Sequence, residues 1–137
     1  MYKRQIPESL ESQILGDSSL RIHLLGLIAT SSTFSAISEE KINEFFSQTF
    51  GGLYDDKLGS KISKRLKELK AYDMITGEDG FKPTKFGQKV FWLRIDPKTA
   101  FDITTYLEDY VQGNKHTFGF LHMITCLLYT SDAADEL

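Results

Sequence analysis

The chain of 137 residues has one cysteine, three prolines and three histidines. A lone thiol excludes an internal disulfide, and so few soft ligands cannot supply a credible metal cluster. No apolar run approaches the roughly 20 residues of a membrane span, and no signal-peptide pattern opens the chain, so the expected location is cytoplasmic, with no membrane partner. No G-x-x-x-x-G-K-[ST] phosphate loop occurs and no G-x-G-x-x-G opens a helix. His23 sits in an apolar run, His116 in a loop and His122 in the last helical stretch, none with a plausible nucleophile set. Glu39-Glu40 and Asp55-Asp56 read as first-turn and loop charges. No catalytic, cofactor-binding or metal-binding residue is assigned.

What is present suits an ordinary soluble domain, with 41% hydrophobic and 26% charged residues. The charge is uneven. Residues 6–56 carry two basic and eight acidic side chains, whereas residues 57–98 carry eleven basic and five acidic. The formal net charge of −3 therefore hides a basic middle, and the field a polyanion meets is local.

Both termini resemble library-adapter DNA rather than protein-coding sequence. MYKRQ (residues 1–5) is similar to a translated transposase mosaic end, and CLLYTSDAADE (residues 126–136) to its reverse complement. Residues 1–5 and 126–137 are accordingly set aside as scars. Residues 6–125 read as an internal piece of a longer protein.

Hydrophobic spacing and capping signals give the elements. Pro7, with Ile6, Leu10, Ile14 and Leu15 on one face and Gly16 beyond, marks a short helix. Asp17 or Ser18 caps a second helix to about Ala29, apolar enough to be central to the core. Residues 30–37 form a Ser/Thr-rich loop. Ser38 caps a third helix, in which Ile42, Phe45, Phe46 and Phe50 read as core packing and Gly51-Gly52 as the stop. Leu58, Ile62, Leu66 and Leu69 define a stripe about 80° wide on the next helix.

A hairpin follows over residues 73–83, with Asp79-Gly80 at its tip and Pro83 confining the second strand to an edge. Thr84 caps a helix with Phe86, Val90, Phe91 and Leu93. Asp96-Pro97 caps another, which runs to Gly113, and Thr117 opens a last one. The fold class is mainly α: a winged helix, with a helix-turn-helix core and a small two-stranded β wing, plus the start of a following helical domain.

One surface stands out as a nucleic-acid candidate. Lys61, Lys64 and Lys67 lie opposite the apolar stripe with Arg65 on its flank, and Lys82 and Lys85 extend from the wing. Lysine suits phosphate contact as a point charge, whereas base-edge readout favours Arg, Asn or Gln, so non-specific contact is the expected mode. The same residues also fit a solvated face that only keeps the helix soluble. Three phosphate contacts imply a log–log salt slope near about −2.7, which separates the two.

LRIHLLGLIAT (residues 20–30), INEFFSQTF (42–50) and FKPTKFGQKVFWLRIDPKTA (81–100) resemble the winged-helix region of archaeal Ski-two-like, superfamily-two ATP-dependent DNA helicases. FGFLHMIT (118–125) is similar to the opening of the helical domain that follows there. Thr84 with Gly87, and Asp96-Pro97 with Thr99-Ala100, carry the likeness most closely.

The resemblance implies a parent hydrolase of DNA repair that unwinds forked or branched DNA 3′-to-5′. Its two RecA-like motor domains would bind ATP and magnesium, and a helical ratchet domain would follow. Its partners would be forked or single-stranded DNA and those neighbouring domains. Residues 6–16 would be the exit from the preceding motor, 17–96 the winged helix, and 97–125 the connecting helix and the start of the ratchet. No ATP-site residue carries over, and the basic helix would face either DNA or a neighbouring domain. The alternative is a small winged-helix transcriptional regulator that dimerises and binds duplex DNA.

Overall fold

The spacing of apolar residues sets where each helix turns its back to solvent. The computed structural model describes residues 16–31, 35–49, 55–113, 117–119 and 121–125. The expected helix over residues 6–15, the Gly51-Gly52 stop, Cys126 and the adapter-like ends lie outside the described residues. Among the described residues the architecture is five full helices, a short helical stretch near the C-terminal end and a two-stranded antiparallel sheet, consistent with a winged helix. Among the described residues, no helix is long and apolar enough to cross a membrane.

Helix α1 (Asp17–Ser31) is the centre. Its Leu20, Leu24, Leu25 and Ile28 are fully buried, and it packs against α3 (Leu58–Ala71). The α3 stripe of Leu58, Ile62, Leu66 and Leu69 is buried as its spacing requires. Between them in sequence, α2 (Glu39–Ser47) starts where the Ser38 hydroxyl accepts the Lys41 amide at 3.4 Å. Ile42 and Phe46 of α2 are buried, but Phe45 is 51% exposed and does not join the core.

The wing consists of β1 (Ile75–Thr76) and β2 (Lys82–Pro83), with Ile75 opposite Pro83 and Thr76 opposite Lys82. The left-handed residue of its turn is Gly77 (φ 109°), not Gly80. A Cβ at Gly77 would also run into the Gly80 carbonyl. The second strand is not a simple edge. Phe81 exchanges both backbone hydrogen bonds with Ile37, at 2.8 and 3.1 Å, so Ile37 acts as a one-residue third strand. Pro83 is tolerated because that outer pairing lies at Phe81, two residues before the missing N–H.

Helix α4 (Lys85–Leu93) begins where the Thr84 hydroxyl accepts the Gly87 amide at 3.0 Å. Gly87 lies so close to the strand entry that a Cβ there would drive into the Met74 carbonyl. Arg94 (φ 55°) ends α4, and α5 (Pro97–Val111) starts three residues later. Asp96 caps α5 by accepting the Thr99 amide at 3.2 Å, with Pro97 at its first position. Stacking of Tyr72 on Phe101, with centroids 4.7 Å apart, holds the C-terminal end of α3 to α5. On the outer face of α5, the Asp102 carboxylate holds the Lys98 ammonium above its ordinary pKa. Residues 117–119 and 121–125 are helical, as Thr117 predicted.

Candidate nucleic-acid interface

Helix α3 presents the basic candidates because its apolar stripe fixes which residues point outward. Lys64 and Lys67 are exposed, opposite the stripe. Lys61 is half-buried, and its Nζ donates to Asp55 Oδ2 at 2.5 Å. The other Asp55 oxygen accepts the Lys57 amide at 2.9 Å. These two bonds, the Lys61 side chain first, hold the Asp55 carboxyl below its ordinary pKa.

Arg65 points inward and is 6% exposed. Its Nη1 donates to both oxygens of Glu68 at 2.8 and 2.7 Å, and its Nη2 lies 3.1 Å from Asp17. Glu68 is also 3.5 Å from Arg21 on α1, and the Arg21 Nε donates to Asp96 at 3.5 Å. The Ser18 hydroxyl donates to the same Asp96 oxygen at 3.1 Å. The result is one chain of alternating charge, Asp17–Arg65–Glu68–Arg21–Asp96, that joins α1, α3 and the start of α5. Arg65 is spent inside that chain and does not stand with the outward lysines.

Lys67 stands beside a shallow groove between α3 and the wing turn, lined also by Lys70, Glu39 and Glu78. Glu78 pairs with Lys70 at 3.5 Å, and Glu39 accepts from the Ser63 hydroxyl. Two carboxylates beside two lysines lower the positive potential on the wing side of α3. Lys82 is exposed on β2 and Lys85 on the first turn of α4, either side of the Thr84 cap. The six candidates therefore divide into an outward pair (Lys64, Lys67), a wing pair (Lys82, Lys85), one paired lysine and one internal arginine.

Sequence reading missed the charge chain and the Ile37 bridge. The available signal was Arg21, one of only two polar side chains between Leu20 and Ala29 in an otherwise apolar helix. A charge in such a run needs a buried partner.

With a winged-helix arrangement in view, comparison with known proteins narrows the class. The chain is 33% identical over 129 residues to the ATP-dependent DNA helicase Hel308 of Pyrococcus abyssi, covering 90% of this chain and 18% of that protein. It is 29% identical over 110 residues to the Hel308 of Thermoplasma volcanium (79% of this chain, 16% of the relative). Against the Hel308 of Methanocaldococcus jannaschii it is 30% identical over 123 residues (88% and 10%). The chain thus spans less than a fifth of the length of these curated relatives. No protein-family model matches it.

Proposed function

We propose that this chain is a fragment of an ATP-dependent DNA helicase. In this reading residues 17–96 are its winged helix, and residues 97–125 connect to and begin a helical ratchet domain. Residues 6–16 leave the preceding motor domain. The observation that carries the reading is similarity to archaeal helicases of one name over 79–90% of the chain. The chain holds no phosphate loop, so ATP and magnesium belong to the motor domains of the parent, and no residue here is assigned to them.

The winged helix lies close to DNA in this reading, and braces motor against ratchet. Lys64 and Lys67, with Lys82 and Lys85, are its phosphate-facing set. Lys85 sits in the first turn of α4, where the helix dipole disfavours a cation and a nearby phosphate would offset that cost. Arg65 belongs to the brace: its ion pairs hold α3 against α1.

The test is a chimera in which residues 16–125 replace the aligned segment of the Pyrococcus abyssi helicase. The expected result is a folded protein with DNA-stimulated ATP hydrolysis and unwinding of a forked duplex. A chimera that folds and hydrolyses ATP but separates no strands would overturn the reading.

A further inference from the structure

Residues 80–95 hold four cations, Lys82, Lys85, Lys89 and Arg94, and no acid. All four are exposed. Lys61, Lys70 and Lys98, by contrast, are each neutralised at close range, by Asp55, Glu78 and Asp102. Among the described residues, no ion pair includes any of the four. Cations with no acid among them keep their field for an anion from outside.

These charges flank a bare aromatic ring. At about 100° per residue, Lys85, Lys89 and Trp92 fall within ~60° of one another, on the side of α4 opposite the buried Gly87 and Val90. Trp92 is 74% exposed, although an indole has more apolar surface to bury than most side chains. Its tilted contact with Phe91, centroids 5.7 Å apart, steadies the ring and leaves it open to solvent. Exposure alone does not select a ligand. Phe45 is 51% exposed as well, but it shares α2 with Glu39, Glu40 and Glu44, which repel a polyanion. An open ring among unpaired cations is the combination that holds a nucleotide strand, with phosphates on the cations and a base on the ring.

We infer that the outer face of α4 binds an unpaired stretch of a nucleic-acid strand, with Lys85 and Lys89 on successive phosphates and one base stacked on Trp92. The two lysines stand one turn apart, about 6 Å along the helix, which suits neighbouring phosphates of one strand. The base is unpaired because a base inside a duplex is stacked on both sides and has no face left for an indole. Lys82 extends the track toward the wing, and Arg94 supplies a cation just past Trp92. Stacking accepts any base, so the site has no sequence preference. The inference rests on the DNA-proximal reading above and adds to its lysines a side chain that holds a base.

Trp92 is the only tryptophan of the chain, so its fluorescence reports stacking directly. The full chain is titrated with a short duplex bearing an oligothymidine tail, and with the same duplex bearing an abasic tail of equal length. The thymidine tail should quench Trp92, and the abasic tail should bind without quenching it. By fluorescence anisotropy of labelled DNA, Trp92→Ala should weaken binding of the thymidine tail roughly tenfold, the order of one stacked base, with the salt slope unchanged. Trp92→Phe should restore most of that loss. Lys85→Ala/Lys89→Ala should lower the slope by about 1.4, as two single-strand phosphate contacts require. Equal quenching by the two tails, or binding of the thymidine tail with no change in Trp92 emission, overturns the inference and leaves the DNA-proximal reading standing. Binding of neither tail at low salt overturns the inference together with the phosphate roles of the lysines.

Discussion

Arg65 has the geometry of a structural residue in the position of a binding one. On a helical wheel it lies about 60° from the centre of the α3 stripe, near enough for a crossing helix to cover it. Asp17 and Arg21 of α1 do cross there, and the guanidinium fork meets two carboxylates at once. Removing one member of such a set leaves the others desolvated, although the largely exposed Asp17 limits the loss. Arg65→Ala should cost about 2 kcal/mol, through lost packing of the stem as well as lost charge. Arg65→Met, which keeps the stem, should cost less. Urea midpoints of the two variants check this ordering, and equal midpoints would mean that the stem adds nothing and only the lost charge matters.

At the scale of elements, α3 begins on an acid outside itself. Asp55 binds the Lys57 amide with one oxygen and the Lys61 ammonium with the other, and its pKa is lowered by both. A carboxyl with a depressed folded pKa contributes stability above its ordinary value and loses it as pH falls through the lowered one. The Lys57 amide resonance should therefore move in the acid range below the ordinary carboxylate pKa. In Asp55→Asn it should stay flat there while the first turn of α3 frays, seen as faster amide exchange at Lys61 and Ile62.

The helices of this fold were legible in sequence where their signals are local. Ser38, Thr84 and Asp96 each cap a helix, because a hydroxyl or carboxylate followed by a helical pattern needs nothing from elsewhere in the chain. The α3 stripe was readable for the same reason. What escaped depended on distant partners. Ile37 pairs with Phe81 across 44 positions, and no alternating pattern marks a strand of one residue. Arg65 was grouped with the lysines because charge type alone does not tell an arginine facing solvent from one facing Asp17. Lys64 and Lys67 were separable from the core by periodicity, but the acids that border Lys67 come from α2 and the wing turn.

For the whole molecule, the charge distribution matters more than its sum. Acidic residues 6–56 and basic residues 57–98 divide the chain, yet folding threads Glu39, Asp55 and Asp17 in among the α3 cations. The field left for a polyanion is that of the exposed lysines. In the chimeric helicase, Lys64→Glu/Lys67→Glu should reduce the log–log salt slope of DNA binding by about 1.8 if both contact duplex phosphates. Equilibrium binding from 50 to about 200 mM salt measures it, and an unchanged slope assigns both lysines to bulk solvent.

The charge chain has a mechanical consequence. Its first member, Asp17, opens α1, and its last, Asp96, caps the start of α5. The two are stapled to one another through Arg65, Glu68 and Arg21, so tension applied along the backbone at these points loads a series of ionic contacts in shear before it reaches the leucines of α1. The clasp softens as added electrolyte screens its more exposed links, Asp17 first.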